Sequence, residues 1–155
     1  MQEPCGTASA PKKQQDACVF CDIVAGRAPA RIVEEDARSL CLLDIQPLAK
    51  GHCLVVPKRH VPFWYELSEE ETASLFRVAR TVARRMTDRL GADFICLYSR
   101  GRRIPHTHIF LLPTFGGAML DRFFNALEGF QESVPGLAAL REQASFDELW
   151  AVLKE

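Results

Sequence analysis

Two histidines separated by one residue interrupt an apolar, β-branched run in the second half of the chain. They are His106 and His108, within the segment IPHTHIFLLP at residues 104–113. Side chains alternate between the faces of a strand, so a strand over 104–112 would direct both imidazoles to one face, roughly 6–7 Å apart. One ring could then be fixed in place while the other remained available for chemistry. The alternative is a pair of ordinary hydrogen-bonded histidines in a strand.

A second pair of reactive side chains is Cys18 and Cys21, in the spacing C-x-x-C. In a chain without an export signal, this spacing indicates a metal or redox site rather than a structural disulfide. A structural zinc binds four ligands, commonly two cysteines and two histidines. Convergence with His60 and His106 would complete such a site and attach the N-terminal turn to the sheet. The residues alone leave a buried or redox-active C-x-x-C open.

An ordinary globular domain must position these side chains. The 155 residues are 48% hydrophobic and 25% charged, with a formal net charge of -1, as is typical of a soluble single domain. This balance argues against a protein that coats nucleic acid or an anionic membrane, so we expect no sequence-specific nucleic-acid partner and no membrane partner. No apolar run reaches the roughly 18–20 residues of a membrane span, and the N-terminus lacks the apolar segment of a signal peptide. We therefore expect a cytoplasmic protein.

Hydrophobic patterning predicts an α+β fold, with strands in antiparallel hairpins and helices between and after them. Ser68 to Glu71 match a capping box, and apolar residues then recur at helical spacing until Gly91 ends the pattern. The predicted elements are a helical turn at 18–26, strands at 31–35, 39–45, 52–57, 93–99 and 104–112, and helices at 68–90, 119–130 and 145–154.

The chain divides into three predicted regions. Residues 1–16 are polar and aperiodic, and we expect a flexible tail there. Residues 17–115 would form the domain itself. Residues 116–155 would form a helical extension packed on the same domain.

Four blocks of this sequence occur in a characteristic order. They are Cys18-x-x-Cys21, Leu43-Asp44-Ile45, Gly51-His52-x-Leu54-Val55-Val56-Pro57-Lys58-x-His60 and Gly101-x-x-Ile104-x-His106-x-His108-x-Phe110-Leu111-Leu112-Pro113. Together they resemble the histidine-triad (HIT) family of nucleotide hydrolases and transferases. The resemblance implies a HIT-like fold, an antiparallel sheet of about five strands with one long helix and C-terminal helices. It also implies a zinc cofactor, with Cys18, Cys21, His60 and His106 as its ligands.

The reaction is likewise implied by the resemblance. His108 matches the middle histidine of the family motif, whose ring nitrogen would attack the α-phosphorus of a nucleoside phosphoramidate, dinucleotide or similar ester. The resulting nucleotidyl-histidine would be resolved by water or another acceptor, as in a hydrolase or a nucleotidyl transferase. Family members commonly pair as homodimers through the long helix and the adjacent strand, and we expect the same here.

The resemblance assigns the nucleotide to a further set of residues. Asp44 matches the acidic residue that accepts ribose hydroxyls, although a strand-end turn residue is the alternative reading. His52 would line the pocket. The apolar side chains that would enclose the base are Phe20, Ile23, Leu42 and Ile45.

Two positions depart from the family pattern. The third triad position is Phe110, which can neither donate to a phosphate oxygen nor move a proton at a leaving group. Arg102 replaces a glutamine in the preceding loop, where it would either clamp a phosphate or form part of a solvated turn. Three functions therefore stay open: an enzyme acting through His108, a nucleotide-binding protein without turnover, and a zinc-stabilised interaction module.

Overall fold

Five antiparallel strands form one sheet at the centre of the protein. The structure is a computed structural model that describes residues 18–99, 103–133 and 143–154. The strands are Ile32–Glu35 (β1), Ser39–Leu43 (β2), Cys53–Pro57 (β3), Phe94–Ser99 (β4) and Ile109–Thr114 (β5). They lie side by side in the order β1-β2-β3-β5-β4, so the third strand is central.

The helices are Val19–Val24 (α1), Glu69–Leu90 (α2), Met119–Ser133 (α3) and Gln143–Lys154 (α4), with a 3-10 turn at Trp64–Glu66. Two of them, α1 and α2, pack on opposite faces of the sheet. The apolar stripe of α2 packs on one face, where Leu75 and Val82 meet Val55 and Leu111. Phe20 of α1 packs on the other face, against Leu40, Leu42, Leu54 and Val56. His106 and His108 lie on the same side of the sheet as α1.

Local sequence signals determine the ends of α2. The Ser68 hydroxyl accepts the Glu71 N–H at 3.3 Å, and the Glu71 carboxylate accepts the Ser68 N–H at 2.9 Å, which is the predicted capping box. Gly91 ends the helix in the left-handed conformation at φ 71°, which costs a glycine little. The long helix therefore matches the prediction to within one residue.

The predicted histidine strand at 104–112 is wrong in its position. Strand β5 covers Ile109–Thr114, and His106 and His108 lie in the loop before it. The His106 N–H bonds the carbonyl of Ile104 at 2.8 Å, and the Thr107 N–H bonds the carbonyl of Val61 at 2.6 Å. These bonds replace a strand ladder, which Pro105 could not have joined as a donor. The connection from β4 to β5 is therefore longer than the short turn expected.

Other boundaries differ from the prediction by one to three residues. Strand β2 ends at Leu43 rather than residue 45, because the Asp44 carboxylate accepts the Gln46 N–H at 2.7 Å and forms a turn. Helix α3 continues to Ser133 rather than ending at residue 130, and α4 begins at Gln143, two residues before its predicted start. The predicted tail at 1–16 lies outside the described residues.

The exposed arginines of α2 pack partly onto the first hairpin. Arg77 pairs with Asp36 at 3.1 Å, and Arg85 binds the Glu34 carboxylate and the carbonyl of Val33. The charges of these two arginines are thus neutralised by carboxylates of the same chain. Among the described helices, none combines the length and the apolar character needed to cross a membrane.

Candidate active site

Four side chains from three separate segments converge beside α1. Cys18 and Cys21 come from α1 and its N-cap, His60 follows β3, and His106 lies in the loop before β5. Their ligand atoms all lie within 4.8 Å of one another. The structure therefore brings together all four residues of the predicted metal site.

The separations among these atoms suit one tetrahedral cation. Cys18 Sγ lies 3.4 Å from His106 Nδ1, and Cys21 Sγ lies 3.2 Å from His60 Nδ1 and 3.6 Å from His106 Nδ1. Zn–S bonds near 2.3 Å and Zn–N bonds near 2.0 Å at tetrahedral angles put sulfur and nitrogen roughly 3.5 Å apart. These three separations and the Cys₂His₂ donor set fit a tetrahedral zinc site.

The protonation states of these side chains also favour a metal site. His106 Nε2 donates to the carbonyl of Pro57 at 2.9 Å, so its Nδ1 carries the lone pair that faces the cysteines. Burial lowers the pKa of His106 and keeps the ring neutral. Burial and the neighbouring Cys18 sulfur raise the pKa of the Cys21 thiol to about 11. Two adjacent thiolates would therefore require a cation between them, which a bound metal would supply.

His108 is positioned by its neighbour in the same loop. Its Nδ1 donates to the carbonyl of His106 at 2.7 Å, so its Nε2 carries the lone pair. The imidazole is 5% exposed and lies between two phenylalanines, with ring centroids 5.3 Å from Phe20 and 5.1 Å from Phe110. The neutral ring, held by a backbone carbonyl, is the form that acts as a nucleophile.

Asp44 and His52 line a separate depression. A cavity of about 430 Å³ opens between the ends of β2 and β3, and its lining includes Leu43, Asp44, Lys50 and His52. His52 Nδ1 accepts the Leu48 N–H at 3.3 Å and lies 3.5 Å from the second oxygen of Asp44. Burial lowers the pKa of His52, so the ring is neutral and its Nε2 carries a hydrogen.

That Nε2–H is buried and has no hydrogen-bond partner among the described residues. An unsatisfied buried donor is costly, so a bound ligand or water is expected to accept from it. The His52 ring stacks on Phe110 at 5.5 Å, and Phe110 in turn touches His108. Phe110 therefore connects the cavity to the loop histidine, which does not itself line the cavity.

The remaining predicted site residues that the structure describes lie in two environments. Phe20 lies against both His106 and His108, at 5.5 and 5.3 Å between ring centroids. Leu42 is buried beside Phe20, and Ile23 packs against the same cluster. Ile45 is 88% exposed and does not join them. Arg102 lies outside the described residues.

The sequence did not predict one aromatic residue that lies next to the site. The Tyr98 ring lies parallel to that of Phe110, with 4.6 Å between centroids and 6° between planes. The two residues are direct partners in the β4–β5 ladder. Only the strand register could have indicated this pair, because nothing in the spacing of the two residues along the chain does so.

The fold and this convergence of residues define a class of protein. A family model described as "HIT domain" matches residues 25–117. The chain belongs to the HIT family, and its fold is HIT-like, as the resemblance implied.

Two relatives and one solved structure are similar to this chain. The chain is 35% identical to an uncharacterised HIT-like protein of Methanocaldococcus jannaschii, over 64% of this chain and 81% of that protein. It is 37% identical to the adenosine 5'-monophosphoramidase hnt1 of Schizosaccharomyces pombe, over 62% and 73% of the two chains. A zinc-bound histidine triad family protein from Mycobacterium smegmatis superposes with a TM-score of 0.63 at 34% identity, covering 67% of this chain and 79% of that one.

Proposed function

We propose that the protein is a nucleotide hydrolase or nucleotidyl transferase that forms a nucleotidyl-histidine on His108. The observation that carries this proposal is the hydrogen bond from His108 Nδ1 to the carbonyl of His106. It fixes the tautomer whose Nε2 lone pair can attack phosphorus. The relative named as an adenosine 5'-monophosphoramidase supports a nucleoside phosphate derivative as the substrate.

The ribose would occupy the cavity beside β2 and β3. One oxygen of Asp44 is used in the turn to Gln46, while the other faces His52 and the cavity, where it would accept a ribose hydroxyl. The unpartnered Nε2–H of His52 would donate to the ligand. Phe20, with Leu42 and Ile23 behind it, would provide the apolar surface for the base.

Zinc is the proposed cofactor, held by Cys18, Cys21, His60 and His106. Four protein ligands close the coordination shell, so the ion would have a structural role and would not meet the substrate. Its effect on the reaction is positional. It would hold His106 in place, and the carbonyl of that residue orients His108.

A homodimer completes the proposal, in keeping with the family resemblance. Strand β4 lies at the edge of the sheet beside α2, and its Phe94 and Leu97 are 65% and 44% exposed. An exposed apolar edge strand is an ordinary pairing surface between subunits. The dimer would join the two sheets through this edge.

The decisive experiment traps the covalent intermediate. Adenosine 5'-(4-nitrophenyl) phosphate, which releases a chromogenic phenol, is mixed with the protein and quenched in acid. Intact mass spectrometry should reveal an added nucleotidyl group, and peptide mapping should assign it to His108. His108→Ala should form no adduct and lose roughly 10³-fold or more in kcat/KM. Unchanged zinc content and melting temperature serve as the control that the variant is folded.

A second function is favoured by Phe110 alone. Without a polar side chain at that position, the protein could bind a nucleotide and not turn it over. Nucleotide binding by calorimetry, together with no adduct and no phenol release from the wild-type protein, would establish this second function and refute the first.

A further inference from the structure

The wall beside His108 is made of carbon surface. Phe110 meets the imidazole at 5.1 Å, and Tyr98 lies parallel to Phe110 at 4.6 Å. Both aromatic side chains are half-buried, so part of this two-ring surface stays accessible next to the histidine. A substrate held at His108 therefore meets an apolar wall on this side.

Among the described residues, the hydrogen bond and the ring contacts of the His108 imidazole involve Phe20, Phe110 and the carbonyl of His106. None of these three groups can deliver a proton near neutral pH. The N–H of the His106 ring is already donated to Pro57. His52 stacks against Phe110, and its burial keeps the ring neutral.

We propose that this site selects nucleoside 5'-phosphate derivatives whose leaving group departs as a weakly basic anion, in particular mixed anhydrides with an apolar carboxylic acid. The inference rests on the function proposed above and narrows it. The carbon wall of Phe110 and Tyr98 receives the apolar part of the acyl group. Phosphoramidates of basic amines are poor substrates, because the amine needs a proton when it leaves.

The chemistry of bond breaking distinguishes these two classes. The Nε2 lone pair of His108 forms an N–P bond while the P–O bond to the acyl group breaks. The electron pair leaves with oxygen as a carboxylate, which needs no proton. An amine leaving from a P–N bond must take up a proton as the bond breaks, and neither the two phenylalanines nor the His106 carbonyl at the His108 ring supplies one. A positioned general acid contributes about 10²–10⁴-fold to such a step.

The second step does not depend on the leaving group. Water attacks the phosphorus of the nucleotidyl-histidine, the N–P electron pair returns to Nε2, and the proton of the water passes to solvent. The products are the nucleoside monophosphate and the regenerated imidazole. Selectivity therefore arises in the first step and is measurable there.

The test compares leaving groups of matched size. Single-turnover rates are measured for adenosine 5'-aryl phosphates from the 4-nitrophenyl to the unsubstituted phenyl ester, and for adenosine 5'-benzoyl phosphate against adenosine 5'-benzylphosphoramidate. The wild-type protein should prefer the 4-nitrophenyl ester over the phenyl ester by roughly 100-fold or more, and the benzoyl compound over the amidate by at least as much.

Variants of Phe110 and Tyr98 identify the cause of this preference between leaving groups. Phe110→His introduces a group that can donate a proton and should shrink both ratios at least tenfold, while Phe110→Leu, which is apolar, should leave them unchanged. Tyr98→Phe retains the stacked wall and removes the phenol hydroxyl. Ratios that grow in Tyr98→Phe would identify the tyrosine as the acid and overturn the proposal.

The wild-type series is conclusive even if a variant does not fold. Rates that are equal across the leaving groups would overturn this inference, while an adduct on His108 would still support the proposed function. No adduct with any of these compounds would refute both.

Discussion

At the scale of single residues, two backbone carbonyls give neighbouring histidines different tasks. His106 donates from Nε2 to Pro57 and turns Nδ1 toward the cysteines. His108 donates from Nδ1 to His106 and leaves Nε2 with the lone pair. Because the acceptor for His108 belongs to a proposed metal ligand, metal binding and orientation of the proposed nucleophile would be coupled through one residue.

This coupling gives a prediction for metal removal. Cys21→Ser should lose the bound metal, release α1 from the sheet and lower the free energy of unfolding by several kcal/mol, since metal binding energy contributes directly to folding in such sites. Elemental analysis should give about one zinc per wild-type chain and none for the variant. A chelator should lower the melting temperature of the wild-type protein and have little effect on the variant.

Cys96→Ser is the matched control, because Cys96 is a half-buried cysteine on β4 that contributes no ligand to the cluster. It should retain both zinc and sensitivity to the chelator. A wild-type protein that binds no zinc on titration and melts independently of the chelator would remove the metal site from the proposal.

At the scale of elements, local sequence signals predicted the ends of the long helix. Contacts between distant parts of the chain determined the conformation of the histidine loop and the aromatic stacking beside it. The capping box and Gly91 define α2, so its ends were predictable to within one residue. The alternation around His106 and His108 mimics a strand, but the Thr107 N–H is bonded to Val61 in a distant loop. No local pattern contains that bond, and the stacking of Tyr98 on Phe110 is equally non-local.

The link between α2 and the end of β3 gives a pH-dependent prediction. Arg59, next to the proposed ligand His60, binds both carboxylate oxygens of Glu71 at 2.6 Å. This hydrogen-bonded pair lowers the pKa of Glu71 from 4.5 to about 2. Because the folded-state pKa lies below the unfolded one, the stabilisation is complete above about pH 5 and is lost as the pH falls toward 2.

Glu71→Gln should therefore lower the melting temperature by about 2–4 °C at pH 7, with a difference from wild type that narrows between pH 5 and pH 2. The comparison cancels other acid-induced changes, since both proteins share them. Glu69→Gln removes one exposed charge from the same turn and should show almost no difference at any pH. A Glu71→Gln difference that is constant with pH would contradict the assignment of the pair.

At the scale of the whole molecule, the two edges of the sheet are unequal. Strand β1 has four residues, two of them glutamates, and an irregular register between Ile32 and Glu34. Strand β4 has six residues, FICLYS, with no charged side chain. Short, charged and irregular edges resist pairing with another chain, whereas long apolar edges favour it. This difference favours β4 over β1 as the edge that would pair in the proposed homodimer.

A charge placed on each edge tests this asymmetry, since Leu97 on β4 and Ile32 on β1 are both 44% exposed. The wild-type protein should sediment at about twice its chain mass of 17.4 kDa. Leu97→Lys should sediment as a monomer, because a dimer would bury two lysines without partners. Ile32→Lys should remain dimeric. A monomeric wild-type protein, or a dimer broken only by Ile32→Lys, would contradict association through β4.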